Sequence, residues 1–299
     1  MAQSGATNVR GDRVEIQERA VPPCLSSLGL PFSCPHELDF HATLSLPCNA
    51  PMQSEAIASL NVLLAHFADT AGWRINVDDG EAHEVKKHTV AQHERQLDET
   101  RAILGDKLSL YQIHSATEAS GVLEAPEVLE VLGKLRDQGV AVGASVSHPQ
   151  ARPLELATAA TAGGAPLFAS VQATYNLLDQ SAGPFLEAAA AKGVFVIIKE
   201  GVANGRLTSR NVGSEALALL EAEAAKLSTT VDALALAWIL TQPFVGMVLS
   251  GASTCEQLRS NCMALQLVPL DPKLHERLSK ALRQDCEAYW QDRKALEWN

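Results

Sequence analysis

The chain has 299 residues, 46% of them hydrophobic and 20% charged, which is typical of a globular protein with a full core. Its formal net charge of -11 gives a surface that repels nucleic acid and anionic lipid, so neither is an expected partner. No apolar run approaches the roughly 20 residues that span a bilayer, and the start of the chain is polar, so we expect a cytoplasmic protein.

Six cysteines are too few for a disulfide framework in a chain of this length, and none forms a Cys-x-x-Cys pair. Donors of the kind that zinc accepts lie near one another at Cys34, His36, His41 and Cys48. Their spacing matches no standard zinc site, and the intervening prolines disturb the local geometry. The sequence therefore favours a loop with buried thiols, and no metal is expected.

The first third of the chain has a weak pattern. Residues 1–35 are expected to form an irregular tail, and residues 36–299 the folded domain. A strand pattern covers 40–46, and an amphipathic helix is predicted over 54–67, followed by a polar stretch to residue 88. This pattern supports one or two strand–helix units, where a closed eight-stranded barrel needs three.

From about residue 90 onward, strand and helix patterns alternate without interruption. In chain order they predict helix 90–104, strand 108–113, helix 126–138, strand 140–144, helix 154–162, strand 168–171, helix 184–191, strand 194–198, helices 213–226 and 230–241, strand 245–249, helix 254–265 and helix 271–290. The strands are short, continuous and rich in Val, Ile and Leu, as in a parallel sheet covered by helices.

This alternation predicts the α/β class. An open doubly wound sheet needs a Gly-rich phosphate turn after an early strand, and the chain contains no G-x-G-x-x-G or P-loop. A (β/α)8 TIM-type barrel is therefore favoured. Whether its N-terminal third is complete, irregular or missing stays open at this point.

The strand over 108–113 is followed directly by His114 and then by polar residues. Barrel enzymes place catalytic side chains at the carboxyl ends of their strands. Imidazole is well suited to donate or accept a proton near neutral pH. A histidine in this position is nevertheless more often a hydrogen-bonded structural residue, so the blocks that follow it decide its interpretation.

Five blocks, in the same order and at similar spacing, resemble the aldo-keto reductase family across residues 90–268. They are Leu108-Ser-Leu-Tyr-Gln-Ile-His114, Gly143-Ala-Ser-Val146, Val171-Gln-Ala-Thr-Tyr-Asn176, the loop from Gly201 to Leu207, and Gly251-Ala-Ser253 with Gln257 and Asn261. The first is similar to the family's fourth-strand signature, which ends in an active-site histidine. Five such blocks in order indicate shared ancestry.

The resemblance implies a (β/α)8 barrel that binds NADP or NAD and transfers a hydride reversibly between the cofactor and a small aldehyde, ketone or alcohol. Ser145 and Gln172 would hold the nicotinamide carboxamide, which needs both a donor and an acceptor, and a glutamine offers both. The pyrophosphate would lie by Lys199, Gly201, Asn204, Gly205 and Leu207. The adenosine would lie by Gly251, Ser253, Gln257 and Asn261.

The family's catalytic set of Asp, Tyr, Lys and His is poorly represented. Only His114 has a clear counterpart, because the chain's three tyrosines all lie outside the N-terminal third. The segment Phe67-Ala-Asp-Thr-Ala71 resembles the family's Phe-Asp-Thr-Ala but carries an inserted alanine, so Asp69 is a weak candidate for the aspartate. Lys86 and Lys87 do not follow an apolar strand and are expected to be solvated.

The strand-seven segment also departs from the family, because Lys199-Glu-Gly-Val202 stands where Tyr-Ser-Pro-Leu is usual. A lysine at the end of a buried strand either extends to solvent or takes part in chemistry. Lys199 could act as an acid or attract the cofactor phosphates, and Glu200 could pair with it instead. Gln257 stands where a basic residue commonly reads the 2′-phosphate of NADP, for which Arg206 or Arg259 could substitute.

Three hypotheses follow. In the first, the chain is a divergent NAD(P)-dependent oxidoreductase in which His114 and Lys199 are catalytic. In the second, it is a catalytically silent barrel that binds a nucleotide or a protein partner. In the third, the N-terminal third leaves an incomplete barrel without activity. Substrate identity and oligomeric state are not encoded in any motif.

Overall fold

The computed structural model describes residues 87–211 and 214–296, together with four short strands earlier in the chain. All of them belong to one compact unit, His41–Asn299. The loop with Cys34, His36, His41 and Cys48, where no metal was expected, lies outside the described residues. None of the described helices is long and apolar enough to cross a membrane.

The regular elements alternate between strand and helix over most of this unit. In chain order they are β1 (Ser45–Pro47), β2 (Ala65–Ala68), β3 (Thr70–Trp73), β4 (Glu84–Lys86), α1 (Val90–Leu104), β5 (Leu110–Ala116), α2 (Pro126–Asp137), β6 (Ala141–Val146), α3 (Ala151–Ala159), β7 (Thr161–Ala162), β8 (Ala165–Pro166), β9 (Ser170–Thr174), α4 (Gly183–Ala191), β10 (Phe195–Lys199), α5 (Glu215–Lys226), α6 (Val231–Leu240), β11 (Met247–Leu249), α7 (Cys255–Cys262), α8 (Pro272–Leu282) and α9 (Cys286–Ala295).

Seven strands form the main sheet in the order β1-β11-β10-β9-β6-β5-β2. The six strands from β11 to β2 run parallel, and β1 pairs antiparallel with β11. Strands β3 and β4 pair as a separate antiparallel ladder, as do β7 and β8. Consecutive parallel strands are joined by helices, as the sequence predicted.

Short polar side chains begin the helices. Thr89, Thr230 and Thr254 each accept a hydrogen bond from the backbone N–H three residues on, at the starts of α1, α6 and α7. Asp271 and Asp285 do the same for α8 and α9. Each of these caps satisfies a donor that would otherwise lack a partner at the end of its helix.

The two faces of the parallel sheet differ in chemistry. Alternate residues such as Ile113, Val171 and Val196 are buried in the main core. On the other face, Leu110, Ile197 and Met247 form a small apolar cluster of their own. Nearer the carboxyl ends of the strands this second face, called the inner face here, becomes polar. Because successive side chains of a strand point to opposite faces of the sheet, each site residue can be assigned to a face from its position in the strand.

The final helix predicted over 271–290 is wrong as a single element. Two helices, α8 and α9, replace it, and the chain turns between them. The backbone N–H of Gln284 donates to the carbonyl of Leu178 at 2.9 Å, and Asp285 caps the new helix. The tertiary hydrogen bond to a distant loop therefore outweighs a continuous helical period.

The helix predicted over 54–67 is also wrong at its C-terminal end, since Ala65–Ala68 forms β2. Its backbone pairs in parallel with β5, and this ladder overrides the local helical period. The remainder of that predicted helix lies outside the described residues. Smaller corrections place 161–162 in β7, and end α7 at Cys262 with a 3-10 turn after it.

Candidate active site at the carboxyl ends of the strands

A lysine, a serine and a glutamine on three neighbouring strands form a hydrogen-bonded chain on the inner face. Lys199, at the end of β10, donates from Nζ to Oγ of Ser145 on β6, at 3.0 Å. Ser145 in turn donates to Oε1 of Gln172 on β9, at 3.2 Å. Three of the predicted site residues are thus brought together where parallel strands end.

Gln172 has one satisfied and one unsatisfied end. Its Oε1 accepts from Ser145, whereas its buried Nε2 has no hydrogen-bond partner among the described residues. A buried donor left unpaired costs about 1–3 kcal/mol. This amide is therefore prepared to donate to an acceptor that enters the site.

His114 lies inside β5 and not just past its end. The pairing of β5 with β6 shifts register between Ile113 and Ala116, and Ser115 has a left-handed backbone with φ of 49°. His114 Nε2 lies 3.4 Å from the hydroxyl of Ser115. A bulge of this kind re-aims side chains at the end of a strand. His114 follows Gln112 by two positions, which is the register of the inner face.

Thr174 was not predicted as a site residue, although it follows Gln172 by two positions on the same face of β9. It stands opposite Lys199 in the β9–β10 register. Its buried Oγ1 has no hydrogen-bond partner among the described residues. Because side chains alternate along a strand, its position two residues after Gln172 could have identified Thr174 as a site residue.

A cleft of about 340 Å³, called the mouth cleft here, opens beside Lys199 and Thr174. Its other walls come from the loop after β6 and from α9: Ser147, His148, Pro149, Glu200, Glu287, Trp290, Gln291, Arg293 and Lys294. The contribution of α9 was also missed from the sequence. Nothing in its local pattern indicates that it packs on the strand ends.

Helix α9 is fixed to the loops by side chains along its length. Arg293 forms a two-pronged ion pair with Glu200, with Nε 2.9 and 3.0 Å from the two carboxylate oxygens. The Glu200 carboxylate raises the pKa of Arg293. Trp290 stacks on His148 and donates to Asp179 at 3.0 Å. Glu200 therefore pairs with α9 and not with its neighbour Lys199.

The loop after β10 contains residues that pack into the core and residues that lie near the surface. The missing side chain of Gly201 leaves room for α6, because an added Cβ would lie 2.9 Å from Leu236. Leu207 is fully buried in the core. Asn204 and Gly205, in contrast, have left-handed backbone with φ of 56° and 87° and lie nearer the surface. Of these four predicted cofactor residues, Gly201 and Leu207 are buried, Gly205 is half-buried and Asn204 is exposed.

A second cleft, of about 680 Å³ and called the loop cleft here, lies between this loop and the start of α7. Gly251, Gln257 and Asn261, which the family resemblance assigned to the adenosine, line this cleft. Asn261 donates to the carbonyl and hydroxyl of Ser250, at 2.9 and 2.8 Å. Ser253 donates through its backbone and hydroxyl to Gln257, at 2.8 and 2.9 Å.

All three tyrosines of the chain are buried and have engaged hydroxyls. Tyr111 donates to the carbonyl of His93 at 3.4 Å, on the helix-covered face of β5. Tyr175 accepts from Gln242, and Tyr289 accepts from Asn176. Burial, followed by the Glu200 carboxylate, raises the pKa of Tyr289 to about 12. Tyrosine is therefore a poor proton donor for this site.

Solved structures share the fold. The holo form of aldo-keto reductase AKR11C1 from Bacillus halodurans aligns over 73% of this chain and 72% of its own, with a TM-score of 0.58 and 22% identity. Its apo form aligns over 64% and 68%, with a TM-score of 0.52 and 24% identity. The thermostable aldo-keto reductase Tm1743, in complex with the inhibitor epalrestat, aligns over 64% and 66%, with a TM-score of 0.50 and 22% identity.

None of the curated proteins matches the chain significantly. The model of the Aldo/keto reductase family, however, matches residues 74–283, which is well over half of the chain. The family and its solved members imply a (β/α)8 barrel, and the parallel sheet with alternating helices agrees with it. The chain belongs to the aldo/keto reductase family.

Proposed function

We propose that this protein is an NAD(P)-dependent oxidoreductase that transfers a hydride between a nicotinamide cofactor and a small aldehyde or ketone. Family membership supports the oxidoreductase class. The observation that carries the finer proposal is the chain from Lys199 through Ser145 to Gln172, which ends in an unpartnered buried amide. A cytoplasmic location and a small-molecule carbonyl or alcohol partner belong to the same proposal.

The residues present fit the nicotinamide end of such a cofactor. A carboxamide offers one acceptor and two donors, and Gln172 Nε2 is a donor without a partner among the described residues. Ser145 and Lys199 are adjacent polar groups that fix the orientation of Gln172. The loop cleft, with Gly251 and Gln257 in its wall, is the proposed place of the adenosine end. When bound, the cofactor supplies or accepts the hydride.

Reduction of a carbonyl also needs one proton at its oxygen and a group that orients the carbonyl, and we assign one described residue to each task. Lys199 Nζ lies on the inner face beside the mouth cleft, and we assign it the proton transfer. His114, positioned by the bulge in β5, is assigned the orientation of the carbonyl. Oxidation of an alcohol reverses the proton transfer, so that Lys199, as the neutral amine, accepts the proton, and His114 keeps its orienting role.

The proposal is tested in two steps with the purified full chain. Titration with NADH and with NADPH, followed by quenching of tryptophan fluorescence, is expected to give saturable binding of at least one of them. A panel of aldehydes and ketones is then assayed by loss of the reduced cofactor, with wild type and His114→Ala. If His114→Ala lowers turnover but keeps the affinity for the cofactor, the orienting role of His114 is supported.

Absence of saturable binding by both cofactors contradicts the proposal. Binding without turnover of any carbonyl supports the silent-barrel alternative, which the loss of a usable tyrosine favours. Equal turnover in wild type and His114→Ala removes the histidine from the mechanism.

A further inference from the structure

We propose that the loop cleft selects NAD(H) over NADP(H). This inference rests on the proposed function, and it assigns the selectivity to charged side chains that the family resemblance did not identify. The two cofactors differ in one group, the 2′-phosphate on the adenosine ribose of NADP(H), which is a free hydroxyl in NAD(H). Discrimination therefore depends on the charge of the cleft that receives the adenosine end.

The charge balance of the loop cleft is negative. Its described lining residues include three carboxylates, from Glu221, Asp232 and Glu256, and one guanidinium, that of Arg210. The carboxylates come from the C-terminal half of α5 and the first turns of α6 and α7, so they converge from three helices. A cleft lined with one sign of charge repels a ligand group of the same sign.

Neither of the basic side chains named as possible readers of the phosphate, Arg206 and Arg259, lines the loop cleft. Gln257, at the position where a basic residue is usual, accepts two hydrogen bonds from Ser253. The guanidinium of Arg206 lies over the ring of Tyr289 at 4.2 Å and donates from Nε to the carbonyl of Ala203. Its Nη1 lies 3.9 Å from the Asp292 carboxylate, and neither Nη atom has a hydrogen-bond partner among the described residues. Arg259 is exposed on α7 and does not belong to the lining of the cleft.

The two cofactors differ in how their 2′ groups interact with a carboxylate. A ribose hydroxyl can donate a hydrogen bond to a carboxylate, which is how acidic residues recognise NAD in other dinucleotide sites. A phosphate monoester carries about 1.5 to 2 negative charges at neutral pH and can donate little to a carboxylate. Three carboxylates against one guanidinium therefore favour the hydroxyl and disfavour the phosphate.

The test compares dissociation constants and does not require turnover. NADH and NADPH are each titrated into wild type, Glu256→Lys and Glu187→Lys, with tryptophan fluorescence as the readout. Glu187 is exposed on α4, outside the loop cleft, so its variant matches the change in net charge. Wild type is expected to bind NADH about tenfold more tightly than NADPH. Glu256→Lys is expected to reduce or abolish that ratio, and Glu187→Lys to leave it unchanged.

Glu256 occupies the first turn of α7, where a lysine is less favourable, so Glu256→Gln is measured as well and should shift the ratio in the same direction. Wild-type affinity for NADPH equal to or greater than that for NADH overturns the inference and leaves the proposed function intact. A ratio that Glu256→Lys and Glu187→Lys change equally also overturns it. Failure to bind either cofactor overturns the proposed function itself, and the inference with it.

Discussion

Lys199 on β10 donates a hydrogen bond from Nζ to the hydroxyl of Ser145 on β6, 3.0 Å away, and this bond passes over the strand between them. The ammonium group is thereby held on the inner face of the sheet and not directed along the strand into solvent. It is also kept apart from Glu200, its neighbour in sequence, because that carboxylate pairs with Arg293.

Replacing the lysine should therefore affect chemistry more than cofactor binding. We expect Lys199→Met to lower kcat for carbonyl reduction by about 100-fold, the usual contribution of a positioned acid. The dissociation constant of the reduced cofactor, measured by fluorescence, should change by much less. Lys294→Met is the matched control, because Lys294 lines the same cleft from α9. Equal losses of kcat in the two variants would remove Lys199 from proton transfer.

The part of the site that follows strand periodicity and family blocks could be predicted from the sequence. Ser145, Gln172 and Lys199 were identified, and the structure joins them through hydrogen bonds. The direction of these bonds was not predictable, because it depends on the spacing of three strands. Thr174 could have been found, since it follows Gln172 by two positions on the same strand face.

The part of the site built by α9 could not be predicted, because its contacts join distant positions in the chain. Trp290 bonds Asp179 across 111 positions, and Arg293 bonds Glu200 across 93. The continuous helical period over 271–290 also concealed the turn at Gln284, which a hydrogen bond to another loop imposes. Such contacts depend on the folded sheet and leave no local pattern.

Gln172 should be less stabilising than its burial suggests. Its Nε2 is unpartnered, but its Oε1 accepts from the buried hydroxyl of Ser145, so Gln172→Met removes one unpaired donor and creates another. The free energy of unfolding of the cofactor-free protein is therefore expected to change by less than about 1 kcal/mol. The same variant should weaken binding of the reduced cofactor by about tenfold, since one hydrogen bond to the carboxamide is lost. Urea denaturation and fluorescence titration measure the two effects.

Gln150→Met is the control for that substitution. Gln150 is a buried glutamine whose amide makes both of its bonds to the backbone of Thr174, at 2.7 and 3.0 Å. Its loss leaves a backbone donor and acceptor unpaired and should lower the free energy of unfolding by about 2–3 kcal/mol. Destabilisation of similar size in both variants would contradict the unpaired state of Gln172.

The Glu200–Arg293 pair should contribute to the attachment of α9. Glu200 is largely buried, with 13% of its side chain exposed, and Arg293 has 29% exposed. Arg293→Met leaves the carboxylate without its partner and should lower the free energy of unfolding by about 2 kcal/mol, below the full cost for a completely buried pair.

The double variant Glu200→Gln with Arg293→Met should be more stable than Arg293→Met alone, because no unpaired charge remains. Lys280→Met provides the comparison, since it breaks an exposed pair with Glu276 and should leave the free energy of unfolding nearly unchanged. Additive losses in the double variant would show that the two charges do not interact in solution.

His93 should make stability depend on pH. It is buried on α1, both ring nitrogens lack hydrogen-bond partners among the described residues, and burial lowers its pKa from the ordinary value of 6.5. As the pH falls below 6.5 the unfolded chain takes up a proton that the folded protein does not, so folding stability declines. His93→Leu removes this proton uptake and also an unsatisfied polar ring. The free energy of unfolding of the variant should therefore exceed that of wild type, and the difference should widen from pH 7 to pH 5 in urea denaturation curves. A difference that stays constant over this range would mean that the folded protein protonates His93 as readily as the unfolded chain.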